Sequence, residues 1–150
     1  MLALRWISAT FFIAVATATP IATPTVKEGP SQVQGRALPS GTVTCGSNLY
    51  SVSRISSAVA AGGSHVAAGT TVGSNSYPHR FYNYEGLNMW CSSTPSGPWY
   101  EFPILSSGSI YTGGSPGADR VVHTTNGTYC ATVTHTGASS TNGFVQCLND

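Results

Sequence analysis

The chain has 150 residues, and only 7% of them are charged, with six lysines and arginines against five aspartates and glutamates. Because soluble proteins carry roughly 25% charged residues, this composition excludes a nucleic-acid-binding protein of the basic-patch type, a charge-rich disordered chain and a coiled coil. Seventeen glycines and nine prolines are typical of short strands joined by tight turns. Length and composition together predict one small domain of the β or α+β class.

The first forty residues are predicted to lie outside the folded domain. Residues 1–18 combine one positive charge, Arg5, with an apolar stretch from Trp6 to Val15 and small residues after it, the pattern of a secretory signal peptide. Residues 19–40 contain four prolines and no aromatic residue. Such a segment buries too little apolar surface to offset its ordering entropy. We therefore expect a disordered pro-segment or linker over 19–40, a folded domain over 41–150, and a secreted, extracellular protein with no membrane association after the signal is removed.

Four cysteines are expected to form disulfides in this exported domain. They are Cys45, Cys91, Cys130 and Cys147. An even number in an oxidising compartment is typical of two disulfides, and three pairings are possible; a Cys45–Cys147 bond would join the two ends of the domain. None lies in a Cys-x-x-Cys pair, so we expect no zinc site. Export also makes the sequon at Asn126 a candidate glycosylation site.

One helix is predicted over 53–68. Apolar residues recur at near-helical spacing from Ile55 to Val66, with Ser53 as the expected N-cap and Gly69 as the expected C-cap. The pair Gly62-Gly63 lowers the predicted stability of this helix, because each glycine costs roughly 1 kcal/mol in a helix interior.

Strands are predicted from Tyr77 onward, where aromatic and β-branched runs alternate with glycine, serine and proline. Asn126-Gly127 predicts a hairpin with a two-residue type I′ turn, in which Thr125 pairs with Thr128, Val122 with Ala131, and Arg120 with Val133. A helix followed by a meander of strands predicts an α+β fold, one α-helix packed on a twisted antiparallel β-sheet.

Alternation along these strands predicts that ionisable side chains collect on one sheet face. In the strand 99–105, Tyr100, Phe102 and Ile104 form the better core side, so Glu101 lies on the other side. The predicted set is Tyr77, His79, Glu101, Arg120 and His135. Each of these, taken singly, is more often an ordinary surface residue. Together they suit phosphodiester cleavage, because one group removes a proton, another donates one, and the cations neutralise phosphoryl charge.

Five blocks of sequence carry a family resemblance. They are VGSNSYPH (72–79), NYEG (83–86), PILSSG (103–108), GGSPGADRVV (113–122) and THTGAS (134–139). In this order and spacing they closely resemble the fungal guanyl-specific extracellular ribonucleases, the ribonuclease T-one family, from Cys45 to Cys147. The resemblance implies the microbial ribonuclease fold, a second disulfide between Cys91 and Cys130, no metal and no other cofactor.

The resemblance also implies catalytic roles. Glu101 would be the general base that takes the ribose 2′-hydroxyl proton, and His135 would be the general acid that protonates the departing 5′-oxygen. His79 is expected to be an imidazolium that steadies Glu101. Arg120 and Tyr77 would bind the phosphate oxygens, and Phe144 would shape the leaving-group side. Neighbouring cations are expected to keep Glu101 ionised, and the arrangement favours protonated histidines.

A second set of residues is implied to recognise guanine. It comprises Phe81, Tyr82, Asn83, Tyr84, Glu85 and Asn142. The Glu85 carboxylate would accept the ring N–H and the amino group of guanine, and the rings of Tyr84 and Phe81 would sandwich or edge the base. Backbone groups around Asn83 and Asn142 would complete the contacts.

The expected function is therefore an endoribonuclease that cuts single-stranded RNA after guanosine, through a 2′,3′-cyclic phosphate that is then hydrolysed to a 3′-phosphate. DNA would stay intact because it lacks the internal nucleophile, and a monomer is expected. Two alternatives remain: a secreted effector that keeps the fold without catalysis, and a ribosome-targeting toxin. The toxin requires long basic loops, which the nearly neutral domain lacks.

Overall fold

One helix, a two-stranded ribbon and a five-stranded sheet make up the part of the chain that the structure describes. The computed structural model describes residues 38–91 and 98–150, so the predicted signal peptide and most of the predicted linker lie outside the described residues. The elements are β1 (Val43–Cys45), β2 (Asn48–Tyr50), α1 (Val52–Ala68), β3 (His79–Phe81), β4 (Trp99–Pro103), β5 (Asp119–Thr124), β6 (Tyr129–Thr134) and β7 (Val145–Gln146). Nowhere in these two ranges does a helix have the length and apolarity needed to cross a membrane.

The strands confirm the predicted α+β architecture. β1 pairs with β2, and the larger sheet has the order β3-β4-β5-β6-β7 with every neighbouring pair antiparallel. The buried carboxylate of Asp119 connects the ribbon to this sheet. It accepts hydrogen bonds from Asn48 Nδ2 (2.8 Å), from the Tyr50 hydroxyl (2.6 Å) and from Thr134 Oγ1 (2.5 Å). Since two of these donors belong to β2 and one to β6, Asp119 fixes the ribbon against the sheet.

The helix begins one residue before the predicted range, and its N-cap lies two residues before the predicted one. Ser51, with extended backbone angles, is the N-cap, and its side chain accepts a hydrogen bond from the Arg54 amide. Ser53 is already helical, and its hydroxyl is 2.9 Å from that of Ser51, so the prediction of Ser53 as N-cap is wrong. Gly69 is the C-cap as predicted, with φ 63° and ψ 29°, a left-handed conformation that glycine adopts at little cost.

The double glycine in α1 allows the helix to approach the sheet closely. A Cβ atom at Gly62 would lie 2.4 Å from His123 Nε2 and 2.9 Å from Phe102 Cβ, and a Cβ at Gly63 would lie 3.0 Å from the Gly127 Cα. These two glycines lower the helix propensity of α1, but the close packing of the helix on the sheet requires them.

Two apolar clusters lie on the two faces of the sheet. The helix covers one face, where Ile55 and Val59 pack with Phe102 and Val121. On the opposite face, Val122, Ala131 and Val133 pack with Phe81 and Phe144, among others. The predicted orientation of β4 is confirmed, because Phe102 belongs to the helix-side cluster while Glu101 is paired with Val122 of the other face.

The hairpin turn differs from the prediction, although the outer register is confirmed. Asn126 lacks the positive φ that a type I′ turn requires, and Gly127 has a φ of 76°. Thr124, rather than Thr125, pairs with Thr128 (N···O 2.9 Å), which leaves a three-residue loop. The hydroxyls of Thr124 and Thr128 donate to the Asn126 carboxamide oxygen, and these bonds favour the longer loop.

A bulge in β6 offsets that loop. The register shifts by one residue between the pairs Val122–Ala131 and His123–Tyr129, so Cys130 is the extra residue. Its carbonyl accepts a hydrogen bond from the Trp90 amide (2.8 Å), and its side chain forms the disulfide with Cys91. The other disulfide joins Cys45 to Cys147. Both implied pairings are thus confirmed.

Candidate active site

Strand pairing brings three of the predicted site residues together on the face opposite the helix. His79 of β3 lies directly across from Glu101 of β4, and Arg120 of β5 is paired with Pro103, two residues further along β4. Residues directly opposite, or two apart on one strand, point to the same face. His79 Nδ1 is 3.3 Å from Glu101 Oε1, and Arg120 Nε is 3.5 Å from Glu101 Oε2. Glu101 is therefore central to an acid–base cluster.

The carboxyl group of Glu101 is removed from water. The residue is 6% exposed, and within the described ranges its Oε2 accepts no hydrogen bond. Burial raises the pKa of Glu101 from 4.5 to about 7; Arg120 opposes this rise and Glu85 adds to it. Arg120 opposes protonation of Glu101 as expected, but desolvation outweighs this attraction, so the expectation that the cations keep Glu101 ionised is wrong in its net direction.

The long side chain of Arg120 is fixed by several hydrogen bonds. Its Nε and Nη2 donate to the Tyr77 hydroxyl at 3.1 and 2.7 Å, and its Nη1 donates to the carbonyl oxygens of Gly117 (3.0 Å) and of Asp119 (2.8 Å). The residue is 3% exposed. A guanidinium fixed in this way offers a preorganised positive charge beside Glu101, which is what a developing phosphoryl charge requires.

His79 stacks on Tyr77, with ring centroids 4.5 Å apart, and the Tyr77–Pro78 peptide bond that precedes it is cis. Burial lowers the pKa of His79, a backbone hydrogen bond with Arg80 opposes the lowering, and the charge of Arg120 adds to it. Burial and the charge of Arg120 thus disfavour the imidazolium form that is expected for His79. The ring still lies beside Glu101, with Nδ1 3.3 Å from Glu101 Oε1.

His135 is oriented by the segment before β7. It follows β6 directly, and its backbone amide donates to the Ala118 carbonyl (3.0 Å), which continues the pairing with β5. Since Val133 lies on the site face, alternation places His135 on the same face. Its Nδ1 donates to the Gly143 carbonyl (2.8 Å), and its ring stacks on Phe144 with centroids 3.9 Å apart. Because Nδ1 is engaged, Nε2 is the nitrogen available for proton transfer.

The loop after β3 presents two tyrosine rings. Asn83 has a φ of 51°, and its carboxamide donates to the Leu87 carbonyl (2.9 Å) and accepts from the Leu87 amide (2.7 Å). Those bonds fix the loop, so the Asn83 side chain serves the loop itself. Tyr82 is 60% exposed and Tyr84 is 87% exposed, and their rings stack with centroids 5.5 Å apart.

Glu85 and Phe81 connect this loop to the catalytic face in different ways. Glu85 Oε1 accepts a hydrogen bond from the Phe144 amide (3.0 Å). Phe81 is only 4% exposed, and its ring packs edge-on against Phe144 at 5.5 Å. The Phe81 ring belongs to the apolar cluster on the site face of the sheet, and its expected contact with a base stays a prediction.

Asn142 and Asn126 are both exposed. Asn142 precedes Gly143, whose carbonyl orients His135. That carbonyl is a functional group that the sequence analysis missed, since a main-chain oxygen leaves no side-chain signal. Asn126 lies at the tip of the β5–β6 hairpin, a position that an attached sugar can reach.

Known proteins with similar sequences are ribonucleases. A family model described as ribonuclease matches residues 38–148. The chain is 53% identical to guanyl-specific ribonuclease T1 of Aspergillus oryzae, over 87% of this chain and 94% of that protein. It is 46% identical to the extracellular guanyl-specific ribonuclease Fl1 of Gibberella baccata, over 71% of this chain and 95% of that protein.

A solved structure of the ribonuclease from Hericium erinaceus is also similar. It is 36% identical and matches with a TM-score of 0.50, covering 71% of this chain and 98% of that one.

Proposed function

This chain belongs to the family of fungal guanyl-specific ribonucleases, and from that premise we propose that it cleaves single-stranded RNA after guanosine with Glu101 as general base and His135 as general acid. The observation that supports these roles is the shared sheet face on which Glu101 touches His79 and Arg120, with His135 following a strand of the same face. A carboxylate whose pKa is about 7 suits proton removal near neutral pH.

In the proposed first step, the ribose 2′-hydroxyl gives its proton to Glu101 and attacks the adjacent phosphorus in line. The bond from phosphorus to the 5′-oxygen of the next nucleotide breaks, and His135 Nε2 protonates that oxygen. The product is a 2′,3′-cyclic phosphate. In the second step His135 removes a proton from water, which attacks phosphorus. The bond between phosphorus and the 2′-oxygen breaks, and Glu101 returns its proton to that oxygen, leaving a 3′-phosphate.

Arg120 and Tyr77 act on the charge that develops on the non-bridging oxygens. Arg120 is already fixed by the Tyr77 hydroxyl and by main-chain carbonyls, so little reorganisation is needed when charge appears. His79, whose Nδ1 lies 3.3 Å from Glu101 Oε1, positions that carboxyl group toward the 2′-hydroxyl. Phe144 supports the ring of His135 by stacking.

Guanine recognition is assigned to Glu85 with Tyr84. The exposed ring of Tyr84 offers a stacking surface, a contact worth about 1–3 kcal/mol for each base. The Glu85 carboxylate accepts two hydrogen bonds from guanine, whereas adenine presents an acceptor at the ring position and leaves it poorly paired. Tyr82, Asn83 and Asn142 contribute from the backbone.

The test compares cut sites in single-stranded RNA, and the turnover of guanylyl and adenylyl dinucleosides, for the wild type, Glu85→Ala and Glu101→Ala. Glu101→Ala is expected to lower kcat by about 10²–10⁴, the usual contribution of a general base, with KM nearly unchanged and with residual activity if His79 takes the proton. Glu85→Ala is expected to reduce the preference for guanosine over adenosine at least about tenfold. Leu49→Ala, an exposed change on β2, is the control.

The same proteins, assayed also for guanine-nucleotide binding and on intact ribosomes, separate the alternatives. Uncut RNA with retained guanine-nucleotide binding would favour a non-catalytic effector, and a single cut in intact ribosomes would favour a toxin. We further propose that the protein acts outside the cell as a monomer that leaves DNA intact. The predicted signal peptide and the extracellular relative support the secretion proposal.

A further inference from the structure

A column of aromatic rings and one arginine runs across the edge of the sheet beside the guanine-recognition loop. Tyr84 stacks on Tyr82 at 5.5 Å. The Arg80 guanidinium carbon lies 5.7 Å from the centroid of the Tyr82 ring and 5.8 Å from that of the Tyr100 ring. Arg80 is on β3 and Tyr100 faces it from β4. The guanidinium thus lies over both rings, and cation–π contacts of this kind favour this position of the side chain.

Arg80 is the cation best placed to meet an anion from solvent. From residue 38 onward the sequence has three arginines and no lysine. Arg120 is buried in the catalytic cluster, and Arg54 donates to the Ser106 carbonyl on the helix side (3.1 Å). Arg80 is exposed, and within the two described ranges its guanidinium makes no hydrogen bond or ion pair. In so uncharged a domain, a stacked and unpaired guanidinium beside a substrate site indicates recognition of an anion.

The position of Arg80 relative to the reacting groups determines which anion fits. His135, the proposed donor to the leaving nucleotide, follows β6, and Phe144 precedes β7, at the other end of the strand order. Arg80 points away from the catalytic face, because it neighbours His79 on the same strand. The column begins at Tyr84, where the base is proposed to stack, and extends away from the leaving-group side. A nucleotide chain that enters along this column reaches guanosine from its 5′ side.

We propose that Arg80, which lies over the rings of Tyr82 and Tyr100, is a subsite for the phosphate on the 5′ side of the recognised guanosine. This inference rests on the proposed function. The ligand is the phosphate attached to the guanosine 5′-oxygen, as a diester in a longer strand or as a terminal monoester. The subsite contacts a part of the RNA that does not react, so it increases selectivity for guanosines that carry a 5′-phosphate, as those inside a strand do, over those at an unphosphorylated 5′ end.

The test measures kcat/KM on three substrates that differ only at the 5′ side: GpC, its 5′-phosphorylated form pGpC, and the trinucleotide ApGpC. The wild type is expected to cleave pGpC and ApGpC about three- to tenfold faster than GpC at low salt, and the advantage should decline with salt at a logarithmic slope of about 0.7, as for one phosphate contact to a single strand. Equal gains for both substrates indicate that the phosphate alone is recognised, while a gain for ApGpC alone indicates the diester.

Substitutions test whether the faster cleavage of pGpC and ApGpC depends on Arg80. Arg80→Gln is expected to bring both ratios close to one, and Arg80→Lys, which keeps the charge but not the planar stacking, to retain part of the advantage. Arg54→Gln removes the same charge elsewhere and should leave both ratios at their wild-type values. Equal thermal unfolding curves establish that the variants are folded.

Two results distinguish this inference from the function on which it rests. A wild type that cleaves GpC but shows ratios near one for both longer substrates overturns the subsite and leaves the proposed function intact, as does an Arg80→Gln variant that keeps the wild-type ratios. A wild type that cleaves none of the three substrates overturns the proposed function and the subsite with it.

Discussion

Replacing Glu101 with glutamine should remove a pH-dependent cost that the buried carboxylate adds to the folded state. Burial raises the pKa of Glu101 from 4.5 to about 7, so between these pH values the folded protein holds a proton that the unfolded chain has released. Stability rises with pH only where the unfolded state binds more protons. Here the folded state binds more, and the contribution of Glu101 to stability must fall as pH rises through this window.

The size of the effect follows from the same two values. Each tenfold change in proton affinity is worth about 1.4 kcal/mol, so the difference between a pKa of 4.5 and one of about 7 corresponds to about 3 kcal/mol. The free energy of unfolding of Glu101→Gln, minus that of the wild type, should therefore increase by about 3 kcal/mol between pH 4 and pH 8. Other titrating groups cancel in this difference wherever the substitution leaves their surroundings unchanged.

Urea unfolding of both proteins at half-unit pH steps measures this difference. A difference that stays constant within about 0.5 kcal/mol across the range would show that Glu101 titrates as an ordinary glutamate and would refute the reasoning. Activity gives an independent readout, because at pH 5 a group with a pKa of about 7 is only about 1% ionised. The acidic limb of kcat/KM should thus bend near pH 7; a bend near pH 4.5 would contradict the role of burial.

Two further predictions concern stability. Gly62→Ala should destabilise the protein by about 2 kcal/mol in thermal or urea unfolding, since the added Cβ would meet His123 Nε2 at 2.4 Å and overpacking outweighs the roughly 1 kcal/mol gained in helix propensity. Ser64→Ala, an exposed change on the same helix, is the control. A stabilised Gly62→Ala variant would contradict the packing argument. Asp119→Asn should cost about 3 kcal/mol, because the amide nitrogen cannot accept and leaves at least one buried donor unpaired; a loss below about 1 kcal/mol would show that the carboxylate is not what fixes the ribbon.

The sequence correctly predicted which side chains share the site face of the sheet, although the turn from which the register was argued was wrong. The predicted two-residue turn sets Arg120 opposite Val133, and this pairing is observed. The observed loop is one residue longer, and the bulge at Cys130 restores the register. Periodicity and turn signals are local, whereas this bulge depends on contacts with Trp90 and Cys91, far away in the sequence. Alternation along strands was thus sufficient to group the site residues, but not to locate the irregularity.

The direction of the Glu101 pKa shift could not be predicted from the sequence, for a similar reason. Counting charges near Glu101 predicts a lowered pKa, because Arg120 is its neighbour. The structure adds the depth of burial, which depends on everything packed around the carboxylate and reverses the direction. Phe81 illustrates the same limit, since its aromatic character was evident while its place beneath Phe144 was set by the fold.

Phe144 joins the two halves of the site through different atoms of one residue. Its backbone amide holds Glu85, and its ring lies against the imidazole of His135. A base that draws the Glu85 carboxylate toward itself must compete with that amide, and any shift of Phe144 is transmitted to the proton donor. Discrimination between purines and the speed of bond cleavage therefore share a mechanical link, and mutations that alter one should be examined for their effect on the other.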